Sequence, residues 1–430
     1  MSIQLDTIKN IHFIGVGGIG MSGLARLFLH EGKNVSGSDR SPSNITDALI
    51  REGVTFFSSQ EAKNISRTVD LIVYTEAMSK DHPEMIAARE LGVPMINYFE
   101  ALALVANQYY LIAVAGTHGK TTTTAMLIDI LEDAGLDPTA IVGSLRSKSG
   151  SNFRAGKSKY FIVEACEYRR DFIHLEPDIL VITNIEAEHL DYYKDLADIQ
   201  NAFHELALKV PSDGLVIANV SDPNIKPVIN NLNSKLTDYK NNLNLQLPLK
   251  VPGLHNRQNA AAASTVADFL NIEKEKVDSA LINFTGTWRR FEYKGELNGA
   301  KVYDDYAHHP TEISATIAGV REMYPDKKLV IVFQPHLYSR TEELFDGFVT
   351  SLAKADRIIL THVYDARDTG KKGVTAETLA EVIKKTNKDS NYIESFEDIV
   401  SALKSSLSSN DVLLVMGAGD VTSLTDILTQ

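Results

Sequence analysis

The chain has 430 residues, 44% of them hydrophobic and 23% charged, and a formal net charge of −13. That length predicts about three domains, not one core. The negative balance excludes a general nucleic-acid surface, so anionic ligands must be held by local basic groups and backbone amides. At the N-terminus Met1-Ser-Ile-Gln-Leu-Asp6 lacks the basic and apolar sections of a signal peptide. With no apolar run near the ~20 residues that cross a bilayer, no membrane insertion and a cytoplasmic location are expected.

Lys9-Asn-Ile-His-Phe-Ile14 reads as a buried strand, followed by Gly15-Val-Gly-Gly-Ile-Gly20 and a helix running to about His30. Gly15, Gly17 and Gly20 fit G-x-G-x-x-G, with Gly18 inside it. A second strand, Asn34-Val-Ser-Gly-Ser-Asp39, ends in an acidic residue about 20 positions on, as a dinucleotide fingerprint requires. From these residues alone NAD binding is the default, against a merely structural tight turn. Further alternation of strand Leu71–Tyr74 and helix Pro83–Leu91 carries the first domain to about Gln108.

The stretch Tyr110-Leu-Ile-Ala-Val-Ala-Gly-Thr-His-Gly-Lys-Thr-Thr-Thr-Thr124 organises the rest. A short apolar strand ends at Gly116, a turn carries Gly119 and Lys120, and a helix opens through Met126, Leu127 and Leu131. Backbone amides of such a loop and the positive end of the helix dipole wrap a polyphosphate. Lys120 is expected to reach the β/γ-phosphates, and the Thr121 hydroxyl the Mg²⁺ that travels with them. Val114 stands where the usual pattern has its first glycine, so the loop is a variant.

Strand Tyr160–Glu164 then delivers a carboxylate at its end, and Ile179-Leu-Val-Ile-Thr-Asn184 runs into Ile185-Glu-Ala-Glu-His189. Because ligands of open α/β sheets sit beyond the carboxyl ends of strands, Glu164 and His189 are expected to face Lys120 as Mg²⁺ ligands. The alternatives are a capping or surface acid and a structural histidine, since Mg²⁺ prefers oxygen. The one cysteine, Cys166, excludes an intramolecular disulfide framework and a cysteine zinc cluster. Lys235–Leu249 is polar and asparagine-rich, with no assigned element. Beyond it, Asn256 and Asn259 lie one turn apart in an alanine-rich helix, suited to an adenine edge or to a helix cap.

A third α/β unit is expected from about Thr287, after a linker. Arg289 and Arg290 open it; Lys301-Val-Tyr-Asp-Asp-Tyr-Ala-His-His-Pro310 and Leu329-Val-Ile-Val-Phe-Gln-Pro-His336 are strands ending in acids and histidines, with Arg340 just beyond. Asp411-Val-Leu-Leu-Val-Met-Gly-Ala-Gly419 closes the set.

Taken together, Gly15–Gly23, Gly116-Thr-His-Gly-Lys-Thr-Thr-Thr123, Glu164-Ala-Cys-Glu-Tyr-Arg-Arg170, Thr183–His189, Gly253–Ala260, Arg289-Arg-Phe-Glu292, Asp304–Glu312 and Phe333-Gln-Pro-His336 resemble the Mur ligases of peptidoglycan synthesis, over nearly the whole chain. The resemblance implies a three-domain α/β fold. A Rossmann-like UDP-sugar-binding domain would span 1–108, a central P-loop ATPase-type domain 109–286, and a Rossmann-like C-terminal ligase domain 287–430. It also gives the first glycine loop (Gly15, Gly17, Gly18, Gly20, with Asp39) to the diphosphate of a UDP-sugar in place of NAD. By motif position, Gly116, Thr117, His118, Gly119, Lys120, Thr121 and Thr122 wrap the ATP phosphates. Thr121 and Glu164 bind one Mg²⁺, and His189 belongs to a second metal site. Asn259 reads adenine, Arg290 the phosphates and Asp305 the ribose hydroxyls, while His336 and Arg340 lie near the muramoyl carboxylate and the amino acid. Leu337 departs from the family's usual Arg, so one cationic contact is missing or supplied elsewhere.

The activity so implied is ATP-dependent joining of L-alanine to the lactyl carboxylate of UDP-N-acetylmuramate through an acyl phosphate. His189, His308 and His336 are candidates for the base. A murein-peptide ligase acting on the same UDP-sugar is the nearest rival; an NAD-dependent oxidoreductase and a nucleotide-gated binding protein are more distant ones. L-alanine is not separable from glycine or L-serine by sequence.

Overall fold

The computed structural model describes residues 3–190, 192–365, 373–386 and 389–430. It divides into two compact units, Met1–Asn244 with Gln258–Asn283, and Leu245–Arg257 with Phe284–Gln430.

The first unit holds two sheets. In one, β1 (Asn10–Ile14), β2 (Asn34–Ser38), β3 (Thr55–Phe57), β4 (Leu71–Tyr74) and β5 (Met95–Asn97) run parallel in the order β3-β2-β1-β4-β5. The strand order reverses between β1 and β4, so the turn after β1 opens at a switch point, where doubly wound sheets bind ligands. The other sheet contains β6 (Tyr110–Ala115), β7 (Thr139–Ile141), β8 (Phe153–Arg154), β9 (Tyr160–Glu164), β10 (Ile179–Ile182), β11 (Leu215–Ala218) and β12 (Lys235–Asp238), in the order β12-β11-β10-β6-β9-β7-β8. Only the β7/β8 pair is antiparallel. Strand β6 lies between β9 and β10, so the loops leaving all three emerge side by side. Leu111 through Ala115 and Ile179 through Ile182 are fully buried, as expected of central parallel strands covered on both faces.

The second unit carries β13 (Glu292–Leu297), β14 (Ala300–Asp305), β15 (Lys328–Phe333), β16 (Arg357–Leu360), β17 (Asp389–Tyr392) and β18 (Asp411–Met416), ordered β13-β14-β18-β15-β16-β17. An antiparallel hairpin, β13/β14, opens it where sequence had suggested only a region past a linker. The polar stretch from Lys235 supplies the edge strand β12 and a short 3₁₀ turn, Tyr239–Asn242. Among the described residues no helix is long and apolar enough to cross a membrane.

Candidate active site

Both glycine turns of the first unit follow central strands. In the first, Gly18 caps the helix Ile19–His30, and the Gly17 N–H donates to Asp39 Oδ2 at 2.9 Å. A Cβ on Gly17 would come within 2.8 Å of that oxygen, and Gly20 lies against the Tyr98 ring, so neither position has room for a side chain. Gly15, Gly17, Gly18, Gly20 and Asp39 thus meet at one helix N-terminus, whose free amides suit an anion.

The second turn is built by three strands. Gly119, at φ +83°, caps the helix Lys120–Asp133 in a left-handed conformation that favours glycine. A side chain there would also strike the Asn259 amide, which lies against it. From the end of β10, Thr183 and Asn184 prop the turn. Thr183 Oγ1 donates to the His118 carbonyl (2.6 Å), Asn184 Oδ1 accepts the His118 N–H (2.9 Å), and Thr117 Oγ1 accepts the Glu186 N–H (2.9 Å). Thr122 continues the first helical turn. From the end of β9, Glu164 accepts the Thr121 hydroxyl (2.9 Å) on one oxygen and the Gly143 N–H (2.8 Å) on the other.

Lys120 is folded back over its own loop. Its Nζ donates to the carbonyls of Gly116 (2.5 Å) and Thr117 (3.1 Å) and to Glu167 Oε2 (2.9 Å) and Oε1 (3.2 Å). Burial opposes the ammonium charge, but the carboxylates of Glu167 and Glu164 outweigh it and raise the pKa. The same burial, helped by Glu167, pushes the Cys166 thiol up to about 12, so it stays protonated. His189 Nε2 lies 3.8 Å from Glu167 Oε1. Ligand atoms of Glu167, Glu188 and His189 all fall within 4.8 Å of one another. Glu167, 2% exposed, is the residue sequence reasoning missed; its signal was a second acid three residues past the strand-end Glu164.

In the second unit, Arg289 is buried against Asp304 (3.3 Å) and the Gly417 and Gly419 carbonyls, which makes it a structural cation. Arg290 is the half-buried member of the pair, stacked 5.0 Å from the Tyr306 ring and 4.0 Å from Glu312 Oε1. Asp305 accepts the N–H groups of Phe291 (2.9 Å) and Ala307 (2.7 Å). Burial, opposed by Arg290, holds its pKa at about 6. His336 Nδ1 lies 3.0 Å from Arg340 Nη1, and the His336 ring centre 5.9 Å from that of His308, which in turn lies 3.5 Å from Glu312. Arg290, Asp305, His308, His336 and Arg340 therefore line one end of this sheet. Leu337 has φ +67° and ψ 132°, a backbone region costly for a branched side chain, and its N–H is held by the Tyr364 carbonyl (3.0 Å).

Fold and loops define a nucleotide-binding α/β protein of the phosphate-loop class. The family profiles "Mur ligase family, catalytic domain", "Mur ligase middle domain" and "Mur ligase, glutamate ligase domain" match residues 10–110, 114–242 and 289–419. A relative from Clostridium tetani, named UDP-N-acetylmuramate–L-alanine ligase, is 42% identical over 99% of this chain and 99% of its own. The crystal structure of the UDP-N-acetylmuramate-alanine ligase of Thermotoga maritima superposes with a TM-score of 0.83 at 29% identity, covering 98% of each chain. A murein peptide ligase from Psychrobacter arcticus shares the fold at 24% identity and a TM-score of 0.72, again over 98% of each chain. The chain belongs to the Mur ligase family, and its three-domain α/β architecture is that of the family.

Proposed function

We propose that this chain is an ADP-forming ligase that joins L-alanine to the lactyl carboxylate of UDP-N-acetylmuramate. The observation that carries the reading is the lysine and carboxylate set at the ends of β6, β9 and β10, in a chain 42% identical to a relative named for that activity. Domain limits of 1–108, 109–286 and 287–430 follow from the same reading. The first glycine turn holds the UDP-sugar diphosphate through its amides, and Asp39 orients the turn.

At the second turn the loop amides of Gly116–Thr122 take the ATP phosphates. Lys120 leaves the Gly116 and Thr117 carbonyls and Glu167 for the transferred phosphoryl group, where its charge offsets the approach of an anionic carboxylate. Asn259 meets the adenine edge and Arg290 the phosphates. Asp305 Oδ1, which accepts the Ala307 N–H, keeps a lone pair for a ribose hydroxyl. Two oxygen-rich sets fit Mg²⁺: the Thr121 hydroxyl with Glu164, and Glu167 with Glu188 and His189. When bound, Mg²⁺ neutralises phosphate charge and polarises the γ-phosphoryl group. His336 and Arg340 receive the muramoyl carboxylate and the amino acid, and His189, His308 or His336 removes the proton that frees the alanine amine.

The reading is tested by phosphate release from ATP. It should require UDP-N-acetylmuramate and L-alanine together. Release driven by a preformed peptide, with free L-alanine inert, would replace it by the murein-peptide ligase.

A further inference from the structure

Glu167 and His189 reach each other across β6, since Glu167 follows β9, His189 follows β10, and these strands flank β6 without pairing. Two loops from non-adjacent strands have no ladder to hold their spacing. Both also depart from relaxed backbone: His189 has φ +58°, and Arg169 and Arg170, just past Glu167, have φ +55° and +62°. Such conformations persist only where neighbours over-determine them.

Tyr193 supplies that constraint. Its side chain is 1% exposed, and its hydroxyl donates to the Glu167 carbonyl. The same carbonyl accepts the Arg170 N–H at 3.0 Å. From the other side, the Tyr193 N–H donates to the His189 carbonyl at 2.9 Å. One residue thus joins the backbone of Glu167 to the backbone of His189, and the two side chains close the ring at 3.8 Å.

We propose that Tyr193 is a positioning residue of the ligase reaction, a strut that fixes the separation of Glu167 and His189 and so the cation site they form with Glu188. This rests on the ligase reading above. Groups behind metal ligands commonly change metal affinity or activity ~10- to 100-fold when removed, and Tyr193→Phe removes the donor while leaving the ring packed.

The test compares native protein, Tyr193→Phe and Tyr192→Phe, the last altering an exposed neighbour. Mn²⁺ binding is titrated by electron paramagnetic resonance with a non-hydrolysable ATP analogue and UDP-N-acetylmuramate present, and kcat and KM are measured alongside. Tyr193→Phe should weaken Mn²⁺ binding and lower kcat about tenfold or more, with the KM for UDP-N-acetylmuramate within about twofold and part of kcat recovered at high Mg²⁺. Tyr192→Phe should match the native protein. Unchanged Mn²⁺ affinity and kcat in Tyr193→Phe, beside an active native enzyme, overturn the strut; a native protein that releases no phosphate in the presence of L-alanine overturns the ligase reading instead.

Discussion

The two glycine turns of the first unit share a plan and differ in their charges. Each leaves a central parallel strand and starts a helix with glycine at the cap. The first has no lysine or arginine from Gly15 to Ser22, and its nearest charge is the Asp39 carboxylate on the Gly17 amide. The second holds a half-buried lysine against a buried glutamate, their side chains 13% and 3% exposed, with a second carboxylate on the next hydroxyl. A turn that holds a diphosphate unchanged needs only amides and a helix dipole, worth up to ~2 kcal/mol for an anion. A turn where a phosphoryl group moves needs a cation able to change partners and carboxylates able to hold metal.

Breaking the second turn should have the largest effect. Lys120→Ala should lower kcat/KM about a thousandfold or more while UDP-sugar affinity is kept. The protein should fold at room temperature with a lower Tm, because Glu167 loses its buried partner; near-native turnover would remove Lys120 from the reaction. Next, Glu164→Gln keeps the shape, and its amide oxygen can still accept the Gly143 N–H, but it removes the charge that attracts a hard cation, so activity should fall about a hundredfold. A Mg²⁺ titration checks this, and raised Mg²⁺ should restore part of the rate.

Gly17→Ala sharpens the contrast from the other side. The added methyl meets Asp39 Oδ2, so calorimetry should show UDP-sugar binding weakened about tenfold, or ~1.4 kcal/mol, with ATP affinity unchanged. A loss of ATP affinity instead would mean that the two turns do not act separately.

The smallest effect concerns pH. Asp171 is buried, its Oδ2 finds no hydrogen-bond partner among the described residues, and burial, with Glu76 and Glu100 adding and Arg169 opposing, raises its pKa from 3.8 to about 7. A raised carboxyl pKa favours the protonated folded state. Its stabilising contribution is complete below about pH 4 and lost as pH rises through about 7. Asp171→Asn should therefore raise Tm by a few degrees at pH 8 and leave it unchanged at pH 4; a uniform shift across that range would contradict the assignment.

Apolar inner strands were legible in sequence because both faces are buried: Leu71–Tyr74 and Tyr160–Glu164 have the limits their hydrophobic runs suggested. Edge strands were not. β17 reads Asp-Ser-Asn-Tyr and β12 Lys-Leu-Thr-Asp, with no apolar alternation, and they pair because a neighbour offers an open edge. At the site, Lys120, Thr121 and Glu164 were readable from local motifs. Glu167 and Tyr193 were not, because what defines them is contact across β6, with Lys120 lying 47 residues from Glu167 in sequence.

The most direct test of the central claim, that the second turn drives phosphorylation of the lactyl carboxylate, is the fate of carboxylate oxygen. UDP-N-acetylmuramate labelled with ¹⁸O in that carboxylate is turned over with ATP and L-alanine, and the released phosphate is analysed by mass spectrometry. Passage through an acyl phosphate transfers one labelled oxygen to each phosphate released. Unlabelled phosphate, accompanied by amide product, would contradict it.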